Sequence, residues 1–108
     1  MAQIVVGLYP TTVEGESVMR DLQNSGFSRN DIRLIQRDRE HKRDRDEEIR
    51  IIVDDLTSRG ASHEDAEIYA EGIVRGSVLV TVKAEDKDAD KAADIMGRHK
   101  AADLERHA

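Results

Sequence analysis

The residues best suited to chemistry lie in a short stretch that begins at Ser62. There His63, Glu64 and Glu67 follow at a spacing close to that of a zinc-protease helix. That chemistry needs two histidines one helical turn apart, with a glutamate between them as general base. Here Glu67 stands where the second histidine is required, and no third ligand is spaced nearby. We therefore expect neither a zincin site nor any other bound metal.

The same stretch has the features of a helix start. Ser62 precedes Asp65 by three residues, so its hydroxyl can cap free backbone N–H groups, and the acidic first turn suits the positive end of the helix dipole. Thr11 and Glu14 show the related capping-box pattern near the N-terminus. Gly76 is placed to end the helix that Ser62 begins. All five of these residues are predicted to shape a helix end rather than to bind a ligand. They are Thr11, Glu14, Ser62, Asp65 and Gly76.

Length and composition fit a single domain. The chain has 108 residues, 38% hydrophobic and only 3% aromatic, and it lacks cysteine, which excludes disulfides and thiolate catalysis. A net charge of −6 opposes nucleic acid or an anionic membrane as partner. No apolar run reaches the roughly 18 residues of a membrane span, and residues 1–3 lead into a strand rather than a signal peptide. We expect a soluble, cytoplasmic, bacterial-type protein without a cofactor.

Hydrophobic periodicity predicts three strands and four helices. Residues 4–8, 32–35 and 78–83 are predicted strands, and the first and third carry apolar residues on both faces. Amphipathic helices are expected after Thr11 and from Asp86. The segment 48–75 is predicted as a helical pair because its apolar residues recur at helical spacing, although the β-branched residues 51–53 leave a strand as an alternative.

Two further segments have less regular patterns. In residues 36–47 the basic and acidic side chains nearly cancel, and we interpret this run as a flexible charged connector. The tail, 100–108, fits either a helical continuation or a short edge strand.

The two ends of the chain show the same succession of strand, polar turn, helix and short segment. Two such units on one sheet make the ferredoxin-like α+β sandwich, an antiparallel sheet with helices on one face. We expect this fold over residues 1–108 as one domain, in the order βαβ–αα–βαβ. Strands 4–8 and 78–83 take the central places, and the helical pair 48–75 is an insertion between the halves.

The stretch LTSRGASHEDAEIYAEGIVRGSVLVTV, residues 56–82, carries a family resemblance. Together with VVGLY, SGF and SRNDI earlier in the chain, it resembles the heat-induced general stress protein domain (YflT-like) of bacteria. The resemblance covers most of the chain except the charged connector. It implies a stress-associated role and no established catalytic residue.

Three classes of function are compatible with these patterns. The first is a non-enzymatic stress-response protein acting through protein contacts, favoured by the resemblance and by the lack of a catalytic triad, P-loop or dinucleotide motif. The second is a small-ligand or metal-binding sensor, with Tyr9, Tyr69 and Arg75 as the polar ligand-binding candidates. The third is an enzyme of undetected mechanism. RNA recognition on such a sheet requires aromatic residues on the central strands, and 78–82 has none.

Self-association is a separate expectation. The strands are apolar on both faces, few helices are available to cover them, and an uncovered sheet face is usually hidden by a second copy across a two-fold axis. The stripe of Ala66, Ala70 and Ile73 offers another surface that could pack closely. We therefore predict a homodimer, with a monomer as the alternative if the helical pair folds back and covers the sheet.

Overall fold

The computed structural model describes residues 2–37, 43–99, 101 and 103–107, and it contains four strands and four α-helices. In chain order, the elements are β1 (Ala2–Tyr9), α1 (Thr12–Asn24), a short 3-10 helix (Arg29–Asp31), β2 (Ile32–Ile35), α2 (Arg45–Ser58), α3 (His63–Val74), β3 (Val78–Glu85), α4 (Asp86–Gly97) and β4 (Asp103–His107). In the described part of the chain, no helix is long and apolar enough to cross a membrane.

The strands form one antiparallel sheet in the order β2-β3-β1-β4. The central pair, β1 and β3, is in register from Ala2 opposite Glu85 to Tyr9 opposite Val78. β2 pairs with the other edge of β3, and β4 pairs with the other edge of β1. The protein thus has an α+β fold, an antiparallel sheet with four helices packed on it. Of the two alternatives for the tail, the edge strand is the one present at 103–107.

One face of the sheet is covered by α1 and α4. Their core consists of valines from β3 and buried residues of both helices, among them Val18, Leu22, Ala92 and Met96. These helices are also joined by a polar contact that the residue spacing does not predict. At the end of α4, the His99 ring nitrogens contact two carboxylates of α1, those of Glu14 at 3.3 Å and Asp21 at 2.5 Å.

The opposite face carries the helical pair, α2 and α3. Val53, Leu56, Tyr69 and Ile73 pack there against the other side of the sheet. The sequence left the position of this pair open, and the structure places it as a second helical layer. The small-residue stripe of α3 belongs to the same layer, since Ala66, Ala70 and Ile73 are completely buried within the chain. That stripe is therefore not a surface for a partner, contrary to the expectation.

The start of α2 corrects the bounds of the charged connector. Asp44 caps the helix through Oδ1, which accepts the Glu47 backbone N–H at 2.8 Å, so α2 begins at Arg45 rather than at residue 48. A helix was the favoured prediction over a strand for 49–56, and it is confirmed. Residues 38–42 of the predicted connector lie outside the described residues.

Three helices end in the same way, at a glycine with positive φ. Gly26, Gly60 and Gly76 have φ values of 102°, 107° and 112°. After α3, the Ser77 N–H donates to the Gly72 carbonyl and the Gly76 N–H to the Ile73 carbonyl, both at 3.0 Å. This is the Schellman arrangement, which satisfies carbonyls that the helix itself leaves free. It turns the chain directly from α3 into β3.

Two other glycines allow helices to approach the sheet closely. A Cβ on Gly15 of α1 would lie 2.7 Å from Val78 Cγ2, and one on Gly72 of α3 would lie 2.8 Å from Leu8 Cδ2. Both distances are shorter than a carbon–carbon contact allows. The missing side chain at Gly72 therefore lets α3 pack closely onto β1.

Candidate functional site

The helical pair leaves part of its sheet face uncovered, and a cleft of about 430 Å³ lies there. We call it the sheet-face cleft. Its floor consists of Ile4 and Val6 of β1, Thr81 and Lys83 of β3, and Arg33 of β2. Further lining residues come from the 3-10 helix and from the end of the helical pair, namely Asn30, Asp31, Leu56, Arg59, Ala61 and Tyr69.

The strand register explains why these floor residues share one face. Thr81 lies opposite Val6 on one side and opposite Arg33 on the other. Lys83 lies opposite Ile4, two residues farther along β3. Because side chains alternate between the faces of a strand, all five project away from α1 and α4. The floor therefore combines an apolar strip on β1 with two cations on β2 and β3.

The wall formed by the helical pair is held rigidly. Leu56 and Tyr69 are almost completely buried, and each packs in the core between the pair and the sheet. Arg59 at the end of α2 is fixed by Asp55, whose Oδ1 accepts hydrogen bonds from Nε at 3.2 Å and from Nη2 at 3.0 Å. The positive φ of Gly60 then reverses the chain toward α3. A ligand in the cleft would thus meet a preformed wall.

The three polar candidates from the sequence do not form one site. Tyr69 lines the sheet-face cleft. Tyr9 is buried on the opposite face, where its hydroxyl donates to the Met96 carbonyl at 2.8 Å. Burial, with a smaller contribution from Glu14, raises the pKa of the Tyr9 hydroxyl far above its usual value. Arg75 is the exposed C-cap of α3, and it lines neither the cleft nor the second cavity described below.

Sequence reasoning missed Arg33 and Lys83. Each interrupts an apolar strand at a position where the side chain faces away from the valine side of β3. On a half-exposed sheet, a charge at such a position usually faces bulk solvent. The signal that could have found them is their combination: two cations at same-face positions of two strands that the predicted fold makes neighbours.

A second cavity of about 330 Å³ lies beside β2, next to a buried carboxylate. The Glu48 side chain is almost fully buried, and Arg37 Nε lies 2.9 Å from its Oε2. That oxygen accepts no well-directed hydrogen bond from the described residues, so the contact is an ion pair. Arg37 Nη1 also donates to the Val74 carbonyl at 3.2 Å. Arg37 therefore connects the end of β2 to α2 and α3.

In the described part of the chain, histidine and carboxylate side chains are not clustered as metal ligands. Over the described residues, no group of three histidine, aspartate or glutamate side chains is arranged to hold an ion. His63 and Glu67 do meet, with Nε2 2.9 Å from Oε1, but both side chains are exposed. Ser62 caps α3 as its pattern indicates, since its Oγ accepts the Asp65 backbone N–H at 3.1 Å. Thr11 caps α1 similarly, accepting the Glu14 N–H at 3.2 Å.

Comparison with known proteins gives no match to a family model, to a curated protein or to a solved structure. The resemblance to general stress proteins thus rests on the residues quoted for it, above all residues 56–82, and it stays a prediction.

Proposed function

We propose that the protein is a non-enzymatic sensor domain and that a small ligand occupies the sheet-face cleft. The observation that carries this proposal is the cleft itself. Its volume of about 430 Å³ falls within the range of roughly 300–1,000 Å³ typical of small-molecule sites. Its floor includes Ile4 and Val6, and the buried Leu56 and Tyr69 line it from the helical pair. An apolar surface with a few polar groups is the usual composition of such sites.

A neutral apolar fluorophore, N-phenyl-1-naphthylamine, tests this function. We expect saturable fluorescence enhancement with one molecule bound per chain. Ala61→Phe places a ring in the cleft and should abolish the enhancement. The control, Ser58→Phe, adds the same ring at an exposed position of α2 that does not line the cleft. Equal enhancement in wild type and Ala61→Phe, or none in wild type, would overturn the proposal.

Protein contacts are the second candidate function, and two exposed residues of the helical pair favour it. Ile51 of α2 is 42% exposed and Ile68 of α3 is 53% exposed. Exposed apolar side chains mark an interaction surface when they lie in one contiguous patch. We propose a second copy of the chain as the partner, because the core is small and has few aromatic anchors. Light scattering on a variant with both isoleucines changed to glutamate tests this contact.

We also propose a stress-associated role and a ferredoxin-like sandwich as the fold. The ferredoxin-like sandwich is supported by the strand order β2-β3-β1-β4, in which each strand–helix–strand unit brackets the first strand of the other unit. A solved structure with another strand order would contradict it. The stress role is supported by the resemblance at residues 56–82, and an unchanged transcript level after heat shock would contradict it.

A further inference from the structure

The sheet-face cleft contains two cations at defined positions of its floor. Arg33 on β2 lies opposite Thr81 on β3, and Lys83 follows two residues later on the same face. They are therefore diagonal neighbours on adjacent strands, a separation that long side chains can span. An anionic group between them would be within reach of both side chains.

Neither cation is neutralised within the part of the chain that the structure describes. No described carboxylate forms an ion pair with Arg33 or Lys83. Arg59, the third cation of the cleft, is already bound to Asp55. Asp31 also lines the cleft, so the described lining residues have a surplus of positive charge. This surplus contrasts with the chain as a whole, which has a net charge of −6.

Apolar side chains of β1 and of the helical pair lie in the same cleft as the two cations. Lys83 lies opposite Ile4 of β1. Thr81, the cross-strand partner of Arg33, lies opposite Val6 of β1. Leu56 and Ala61 line the cleft from the helical pair. A molecule whose charged group is bound by Arg33 and Lys83 would therefore place its remaining atoms on aliphatic side chains.

We propose that the cleft selects a small amphipathic anion, an organic acid with an apolar body. This inference rests on the proposed ligand-binding function and adds the chemical class of the ligand. The guanidinium of Arg33 presents paired donors that fit a carboxylate or a similar oxyanion, and the Lys83 ammonium adds a mobile charge. A polyanion such as a nucleic acid is disfavoured, because it would extend beyond these two cations over an acidic protein.

A matched pair of fluorophores tests the charge preference. N-phenyl-1-naphthylamine is neutral, and 1-anilinonaphthalene-8-sulfonate is the same ring system with one sulfonate. We expect the sulfonate to bind about tenfold more tightly, as a charge-assisted hydrogen bond implies. Changing Arg33→Gln and Lys83→Gln together should remove this advantage while leaving the affinity for the neutral probe within about twofold.

The matched control removes two cations elsewhere. Arg20 and Lys87 are exposed and do not line the cleft, and their double change to glutamine should preserve the sulfonate preference. An unchanged melting temperature in each variant excludes dye binding to a loosened fold. Equal binding of the two probes, or a sulfonate preference that survives loss of Arg33 and Lys83, would overturn the anion proposal and leave the ligand-binding function standing. Binding of neither probe to wild type would overturn both.

Discussion

Arg37 Nε lies 2.9 Å from Glu48 Oε2 at the junction of the sheet edge and the helical pair. The carboxylate is 5% exposed and the guanidinium 43% exposed, so a buried charge depends on a partner that solvent still reaches. Such a pair is better evidence for a fixed arrangement than for large net stability. Here the ion pair holds the segment that follows β2 against the first turn of α2.

The cost of removing Arg37 should therefore depend on whether the Glu48 charge is present. In Arg37→Leu, the buried Glu48 carboxylate lacks its cation, and we expect a loss of about 1–3 kcal/mol of unfolding free energy, kept toward the low end by solvent screening. In a Glu48→Gln background the same change should cost clearly less. Urea unfolding of the four proteins measures this coupling. Equal costs in the two backgrounds would mean that Arg37 acts only through its bond to the Val74 carbonyl.

Ionisation of Tyr9 should lower the stability of the folded protein at alkaline pH. Burial raises the pKa of its hydroxyl above the value of about 10 that tyrosine has in an unfolded chain. Folding thus favours the protonated form, so the contribution of Tyr9 is complete below pH of about 10 and is lost as the unfolded chain ionises above it. We expect the unfolding free energy of wild type to fall above that pH more steeply than that of Tyr9→Phe.

At neutral pH, Tyr9→Phe should cost about 0.5–1.5 kcal/mol, the value of one hydrogen bond. The cost stays small because the Met96 carbonyl retains the backbone N–H of His99 at 3.3 Å. Unfolding curves on both sides of pH of about 10 check the two statements together. Parallel pH profiles for the two proteins would show that Tyr9 is not the group responsible.

Alanine should have opposite effects at two helical glycines. At Gly15 the new Cβ would meet Val78 Cγ2 at 2.7 Å and Leu34 Cδ1 at 3.0 Å. Overpacking of this kind costs about 1–3 kcal/mol, more than the gain of about 1 kcal/mol in helix propensity. At Gly97 the nearest atom is Leu104 Cδ2 at 3.7 Å, an ordinary contact. Thermal unfolding should show a lower midpoint for Gly15→Ala and an unchanged or higher one for Gly97→Ala.

The predicted homodimer is tested most directly by mass. We expect light scattering at micromolar concentration to give twice the chain mass of 12.1 kDa. If the exposed isoleucines form the contact, Ile51→Glu with Ile68→Glu should give the mass of one chain. Val13→Glu, at a 71% exposed position of α1, should leave the dimer intact. A wild-type mass of 12.1 kDa would rule out self-association.

Much of the fold was predictable because its signals are local. The alternation of valines in β3, the helical spacing in α2 and α3, and the turn glycines each depend on residues close together in the chain. The two central strands were predicted too short, since Ala2 and Glu85 pair at the strand ends, where hydrophobic alternation gives no guidance, whereas β2 was predicted with its observed bounds. The His99 contacts with α1 were missed for the opposite reason, because they join residues far apart in the sequence.

The sheet-face cleft was less predictable because it depends on how the helical pair packs against the sheet. Its walls exist only once the helical pair packs on the sheet and Tyr69 is buried beside Leu56. No local pattern in the charged connector specifies that position. Tyr69 was singled out from the sequence and does line the cleft, whereas Arg33 and Lys83 look like ordinary solvent-facing strand residues until β2 and β3 are paired.

The strand order has a consequence for synthesis on the ribosome. β1 and β2 emerge first, but they are not neighbours, because β3 lies between them in the sheet. A nascent chain that has not reached Val78 therefore has two apolar strands and no way to pair them natively. α2 and α3 are consecutive in the chain and contact each other, so they can pack together during that interval. β1 and β2 lack their shared partner until β3 has been made. Slow translation before β3 would prolong the exposure of both strands and favour their capture by chaperones.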